Sequence, residues 1–171
     1  MKRLGASLIL LLLCGCVGYR FGAQSLYPSH VRTVYVKMFR SASFRRDLGE
    51  RLTEAVMKEI ELKTPFKVVN SPDADSVLTG EVISDAKRLV AMSQTGEQRQ
   101  TELAIQVRAT WVDRSGQVLR NGIQVPIDET PAVISANSRI TPEVGHSVAT
   151  GQQVAIQRAA EQIVAMMEAP W

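Results

Sequence analysis

The 171-residue sequence is poor in the side chains that most often perform chemistry. It contains two cysteines and two histidines, and only 5% of its residues are aromatic. His30 and His146 lie far apart in the chain, and no group of acidic residues has the spacing of metal ligands. No glycine-rich loop of the phosphate-binding type is present either. We therefore expect neither a bound metal nor a cofactor.

An excess of one charge sign is also missing. Twenty Lys and Arg residues stand against seventeen Asp and Glu residues, so the net charge is +3. Lys2 and Arg3 belong to a targeting segment, and without them 18 bases remain against 17 acids, or +1. Nucleic-acid binding has no support in this balance. With 45% apolar and 22% charged residues, the composition is that of one ordinary globular domain.

The N-terminus has the features of a bacterial export signal. Its apolar stretch, residues 8–13, is far shorter than the roughly 20 residues that a membrane-spanning helix needs. Leu13-Cys14-Gly15-Cys16 resembles the lipobox of bacterial lipoproteins, with Cys16 as the acceptor of the acyl chains. We predict a signal peptide over residues 1–15 and a lipid anchor at Cys16. An ordinary signal peptide with incidental cysteines is the alternative.

Cleavage before Cys16 would determine the chemistry and location of the mature protein. Cys14 would leave with the signal, so the mature chain would contain no free thiol and no disulfide. Several acyl chains on one cysteine, palmitate among them, anchor a protein stably. The residue after the cysteine is Val17, whereas an aspartate there would favour retention in the inner membrane. We therefore expect the protein on the periplasmic side of the outer membrane.

The remaining sequence predicts a linker over residues 16–30 and a single domain over residues 31–171. Alternation of apolar residues predicts strands over residues 31–39, 66–69, 76–90, 101–112 and 117–125. Helical periodicity predicts one helix over 47–62 and a second that begins with an N-cap at Thr141, is firm from Gln152 and ends at Pro170. Residues 126–140 are polar and predict an irregular loop.

The alternation also predicts the architecture. It is most regular over residues 101–112, where apolar side chains share one face of the strand and polar side chains share the other. A sheet of such strands is covered on one side only. We predict an α+β two-layer sandwich, with two helices packed on one face of a mixed, mostly antiparallel sheet of four to five strands.

One short motif is similar to an enzyme site. Residues 145–149 read Gly-His-Ser-Val-Ala and approximate the nucleophile elbow of serine hydrolases, with Ser147 as the nucleophile. That motif requires a preceding strand and a histidine later in the chain. Since no histidine follows His146, we expect a loose first helical turn here and no catalytic residue.

Five arginines fall on or beside the predicted strands of residues 76–125, and a sixth lies in the loop that follows. Scattered arginines usually solvate a sheet face, but they can also form a cationic surface for phosphate groups, which the guanidinium binds through paired hydrogen bonds. The sequence leaves both interpretations open. The residues concerned are Arg88, Arg99, Arg108, Arg114, Arg120 and Arg139.

Three stretches of the sequence, together with the alternating residues 103–112, resemble the LptE family of lipopolysaccharide-assembly lipoproteins. They are Cys-Val-Gly-Tyr-Arg-Phe-Gly at 16–22, Ala-Asp-Ser-Val-Leu-Thr-Gly-Glu-Val at 74–82 and Arg-Ala-Ala-Glu-Gln-Ile at 158–163. The similarity extends over nearly the whole mature chain and keeps the order of elements. The resemblance implies a non-enzymatic lipoprotein that assists assembly of the outer-membrane β-barrel LptD, plugs this barrel and binds lipopolysaccharide.

The resemblance also implies lipopolysaccharide-binding residues. Some family members carry a base at the tip of the hairpin between the first two long strands, and another in the loop before the last helix. The tip here, residues 91–96, contains no base, so the first role passes to the flanking Arg88 or Arg99 and the second to Arg139. A lipoprotein that activates a peptidoglycan synthase is the alternative function. That role usually needs a longer spacer than residues 16–30 provide.

Substitution of Cys16 tests the anchor. The variant Cys16→Ala should yield a soluble periplasmic protein or an unprocessed precursor, because no other segment is long or apolar enough to hold a membrane. Membrane fractionation, with mass spectrometry of the N-terminus, measures both outcomes. Normal processing together with continued resistance to extraction from outer membranes would show that Cys16 is not the anchor.

Overall fold

The computed structural model describes residues 27–43, 45, 47–92, 98–120, 123–124, 131–142, 145 and 147–168. The elements in chain order are β1 (Thr33–Val36), β2 (Arg40–Ser41), α1 (Asp47–Lys63), β3 (Lys67–Val69), β4 (Ser76–Met92), β5 (Gln98–Asp113), β6 (Leu119–Arg120), β7 (Ile123–Gln124), β8 (Ala132–Ile140) and α2 (Val148–Ala165).

A long antiparallel pair, β4 and β5, forms the centre of the main sheet. The strand order is β3-β1-β4-β5-β8, and β2 pairs with the edge of β4 beyond the point where β1 ends. The pairs that involve β1 or β2 are parallel, whereas β8 is antiparallel to β5. The predicted α+β sandwich with a mixed sheet is confirmed, and its six strands slightly exceed the predicted number.

Both helices pack on the same face of this sheet. Alternate residues of β5 point toward the helices and are buried, as their apolar character predicts. Burial of this apolar surface is the main favourable term in folding. The facing core residues are Leu103, Ile105, Val107, Ala109 and Trp111 from β5, Leu48, Leu52, Val56 and Ile60 from α1, and Ala155, Ala159 and Ile163 from α2.

The structure corrects two predictions for the segment between β5 and α2. Of the strand predicted over residues 117–125, the described part contains β6 and β7, which pair with each other in a small separate sheet and not as the next strand of the main sheet. Residues 126–140 are not simply a loop, because β8 occupies the position beside β5. The alternation of β8 is hard to recognise because Ala136 and Ser138 occupy inward positions where larger apolar residues are more usual.

The start of α2 also differs from the prediction. The helix begins at Val148 with Ser147 as its N-cap, so the predicted N-cap at Thr141 is wrong. A glycine normally weakens a helix interior by about 1 kcal/mol. For that reason the sequence predicts a firm helix only from Gln152, after Gly151. Here Gly151 is buried where α2 approaches β5 and β8, and a side chain at this position would collide with Ile140.

Phe39 joins the sheet to α1. Its buried ring lies against Gly80 of β4, where a Cβ atom would be 2.7 Å from the ring. Its backbone N–H donates a hydrogen bond to Thr53 Oγ1 at 2.9 Å. Its carbonyl oxygen approaches Gly49 so closely that a methyl group there would collide with it. Two glycines thus leave the space in which one aromatic residue fixes the helix to the sheet.

Asp75 fixes the start of β1 beside the start of β4. One carboxylate oxygen accepts hydrogen bonds from the backbone N–H groups of Arg32 (3.1 Å) and Thr33 (3.0 Å), and from the Thr33 hydroxyl (3.0 Å). The other oxygen lies 3.8 Å from Arg114 Nη2. These bonds, the one from the Arg32 N–H first, lower the pKa of Asp75. The ionised carboxylate therefore stabilises the fold.

Gly49→Ala should destabilise the protein, although alanine favours a helix over glycine by about 1 kcal/mol. The added methyl group collides with the Phe39 carbonyl, a backbone atom that cannot rotate away. Overpacking of this kind costs about 1–3 kcal/mol, which urea unfolding can measure. The exposed variant Glu61→Ala on the same helix is the control, with an expected change under about 0.5 kcal/mol. A Gly49→Ala protein as stable as wild type would contradict the close packing.

Asp75→Asn should be less stable than wild type near neutral pH, and this difference should shrink in acid. A carboxyl whose folded-state pKa is lowered contributes stability above its unfolded pKa of about 3.9, and this contribution is lost as the pH falls through the folded pKa. Urea unfolding of both proteins between about pH 7 and about pH 2 measures the difference. Asp113 and Glu54, whose pKa values are also lowered, are common to both proteins and cancel. A difference that does not change with pH would contradict the assignment.

Candidate functional site

The face of the main sheet opposite the helices carries polar and charged side chains. We call it the outer face. It comprises side chains that alternate with the buried residues of the three longest strands, and the exposed Lys37 and Arg40 extend it at the edge of β4. Its polar and charged members are Thr79, Glu81, Ser84 and Arg88 from β4, Glu102, Gln106, Arg108 and Thr110 from β5, and Ser135, Asn137 and Arg139 from β8.

Two of the three predicted lipopolysaccharide-binding arginines lie in one row across the outer face. Arg88 of β4 is paired with Glu102 of β5, and Glu102 is paired with Arg139 of β8. Residues directly opposite in antiparallel strands have Cβ atoms about 5 Å apart, so two exposed arginines flank one carboxylate. Glu102 also accepts a hydrogen bond from the side-chain amide of Asn137 at 2.8 Å. We call these residues the distal row.

The remaining predicted residues are less fully described. Arg99 belongs to β5, but its side chain lies outside the described part of the structure. Cys16 and residues 93–97, which include most of the predicted hairpin tip, also lie outside the described residues. Arg139 is described, but in a strand and not in the loop where the sequence predicted it, because β8 occupies that segment.

A second row, again of two arginines and one glutamate, was not predicted from the sequence. Arg40 of β2 is paired with Glu81 of β4, and Glu81 with Arg108 of β5. The Arg108 Nη1 atom lies 3.4 Å from Glu81 Oε2. Nothing in the sequence signals the two-residue strand that places Arg40 here. We call these residues the proximal row, and six residues along β5 separate it from the distal row, or about 20 Å.

Charge is distributed unequally between the two sides of the molecule. On the outer face, Lys37 and the four arginines of the two rows outnumber the two glutamates, for a net charge of +3. Helix α1 on the opposite side contains five acidic and three basic residues, for a net charge of −2. Opposite potentials of this kind steer an anionic ligand toward the outer face.

The serine of the enzyme-like motif has a structural role, and the described residues contain no arrangement for a metal ion. Ser147 Oγ accepts a hydrogen bond from the backbone N–H of Thr150 at 3.1 Å and lies 2.9 Å from its hydroxyl, so this serine acts as a helix cap. Within the described ranges, no group of His, Cys, Asp or Glu side chains is arranged to hold a metal ion. Among the helices described, none combines the length and the hydropathy that crossing a membrane requires.

Comparison with known families decides the relationship that the sequence suggested. Residues 31–167 match the LptE family, whose description is Lipopolysaccharide-assembly. The chain belongs to the LptE family. This is a family of lipoproteins without enzymatic activity. No curated protein matches the chain.

Solved structures similar to this LptE-family protein share its fold. The uncharacterized lipoprotein B of Nitrosomonas europaea is 19% identical, with a TM-score of 0.54 over 87% of this chain and 92% of that one. The rare lipoprotein B of Shewanella oneidensis is 15% identical, with a TM-score of 0.50 over 80% and 93%. A hypothetical protein of Chlamydia trachomatis is 12% identical, with a TM-score of 0.55 over 79% and 94%. At these identities the similarity shows the fold alone.

The stretch at residues 74–82, part of the resemblance to the LptE family, has a structural role. Four of its side chains are buried, those of Ala74, Ser76, Leu78 and Val82. Asp75 and Gly80 make the close contacts described above. These six residues form the fold, whereas Thr79 and Glu81 of the same stretch face the outer side of the sheet.

Proposed function

We propose that this LptE-family protein is an outer-membrane lipoprotein subunit of the lipopolysaccharide export translocon, anchored through a lipidated Cys16 on the periplasmic side. In this role it associates with the barrel LptD, assists its assembly, plugs it, and binds lipopolysaccharide. The family match over residues 31–167 supports the role in lipopolysaccharide assembly.

The distal row is the observation that carries lipopolysaccharide binding. Arg88 and Arg139 are both exposed and lie on paired strands, so their backbones hold them at a defined spacing. Guanidinium groups bind phosphate oxygens through two parallel hydrogen bonds, and these charge-assisted bonds are stronger than neutral ones. Glu102 between the two arginines reduces their repulsion in the absence of ligand. The row therefore suits the phosphorylated part of lipopolysaccharide.

Tyr27 holds the first described residues of the chain at one end of the main sheet. Its ring packs against Phe66 with centroids 5.3 Å apart, and its hydroxyl donates to the carbonyl oxygen of Lys63 at 3.1 Å. Burial, with Glu168 nearby, raises the pKa of Tyr27 to about 12, so the hydroxyl remains a donor. The ten residues between Cys16 and Tyr27 span at most about 40 Å.

Tyr27 lies at the end of the sheet where β4 begins, because Phe66 also contacts Trp111 opposite the first residues of β4. The distal row lies twelve residues further along β4, about 40 Å away.

Loss of both distal arginines should weaken lipopolysaccharide binding. A charge-assisted hydrogen bond is worth about 1.5–3 kcal/mol, so Arg88→Ser with Arg139→Ser should lower the affinity of the full chain at least about tenfold. The loss should be larger in low salt, where exposed charges are less screened. Surface plasmon resonance at low and high salt measures both effects. The separate variant Arg99→Ser tests the third predicted residue.

The control variant removes two bases from the helical side, Arg51→Ser with Lys58→Ser. Since its net charge equals that of the test variant, a nonspecific charge effect would weaken both proteins equally, and that result would contradict a binding role for the distal row. Co-purification of the native lipoprotein from outer membranes tests the partner. Recovery of a peptidoglycan synthase without a large β-barrel would favour the alternative function.

A further inference from the structure

A groove of about 380 Å³ opens on the outer face beside the proximal row. One wall is the connection from β1 to β2, and the floor is formed by β4 and β5. The polar side chains that line it are Lys37, Arg40, Thr79, Glu81, Arg108 and Thr110.

The groove has the electrostatics of an anion site. Its lining contains three cationic side chains and one carboxylate, so its net charge is +2. Glu81 engages Arg108 at 3.4 Å, which leaves Lys37 and Arg40 as the cations on the opposite wall. A concave surface lined by charge of one sign concentrates field lines and attracts the opposite charge more strongly than a flat surface does. The hydroxyls of Thr79 and Thr110 add neutral hydrogen-bonding groups.

The segment that forms the cationic wall is fixed by contacts with β4 and α1. The backbone N–H of Lys37 donates to the carbonyl oxygen of Leu78 at 3.0 Å. Two residues later, Phe39 is fixed by its ring against Gly80 and by its N–H bond to Thr53. The backbone that carries Lys37 and Arg40 therefore needs little ordering when a ligand binds, which favours affinity.

The geometry points to a second anion site in this groove, which binds the dianionic phosphate group of a phosphate monoester. A charge of −2 matches the net charge of the lining, and the guanidinium forks of Arg40 and Arg108 match the geometry of phosphate oxygens. The distal row lies about 20 Å away along β5, so one phosphate group cannot contact both rows. This inference does not depend on lipopolysaccharide binding at the distal row.

Phosphate titration of the full chain in non-ionic detergent, followed by NMR of the backbone amides, tests the site. Inorganic phosphate should shift the amides of Thr79, Gly80 and Thr110 in a saturable way, and acetate should bind at least about tenfold more weakly because it carries one charge. A second titration uses bicelles that contain phosphatidic acid. Saturation in both titrations assigns the site to lipid-borne phosphate, and saturation with inorganic phosphate alone assigns it to a soluble ester.

Two variants with opposite expected effects make this test specific. Arg40→Gln with Arg108→Gln should weaken phosphate binding about tenfold or more, because two charge-assisted contacts are lost. Glu81→Gln should strengthen it about two- to fivefold, because Arg108 is released from an exposed ion pair. Lys58→Gln on α1 is the control and should leave groove binding unchanged.

Three results would overturn the proposal. The first is a shift that rises linearly with phosphate and does not saturate. The second is equal binding of acetate and phosphate, which would remove the assignment to a dianion. The third is a combination of two results. Glu81→Gln binds no more tightly than wild type, and the Lys58→Gln control loses as much affinity as Arg40→Gln with Arg108→Gln. That pattern would reflect net charge alone.

Discussion

The space that two glycines leave around Phe39 is the constraint on which the arrangement of this molecule depends. A side chain at Gly49 would hold α1 away from the sheet, and a side chain at Gly80 would displace the ring. With both absent, the ring enters the core and Thr53 binds the backbone N–H beside it. The same residue therefore determines how close the helix lies to the sheet and where the chain passes along the edge of β4.

The outer face acquires its character from this one-sided packing. Because both helices cover the same face of the sheet, the side chains of the opposite face are largely polar, with exceptions such as the exposed Val133. Direct pairing of strands then brings these side chains into rows, and each glutamate lies between two arginines. Alternation of charge in a row avoids direct repulsion between like charges, yet the face as a whole stays positive. The outer face can therefore be stable without a bound ligand and still attract anions.

The residues that form the fold and the residues we assign to binding are separate sets. Ala74 to Val82 places its alternate side chains in the core, and Asp75 ties two strand starts together. Membership of the LptE family rests on a match over most of the domain, residues 31–167. The arginine rows occupy the other face of the same strands. A binding surface can therefore vary in such a fold without any change in the core.

Several features followed from the sequence alone because they depend on local periodicity. The helix predicted over residues 47–62 is α1, and the strict alternation over residues 101–112 belongs to β5 with the predicted face buried. A repeat of 3.6 or two residues is visible in the chain itself, whatever lies next to it. The two-layer α+β architecture and the sheet covered on one side follow from these patterns.

Other features were decided only by the tertiary structure. The alternation of β8 is faint because the two middle inward positions carry the small residues Ala136 and Ser138, where α2 approaches the strand closely. The parallel pairing of Arg40 with Glu81 joins residues distant in the chain, and two-residue strands have no period of their own. Both candidate rows depend on such pairings. The sequence therefore determined which residues are basic and which faces are polar, whereas the strand register decided which charges lie together.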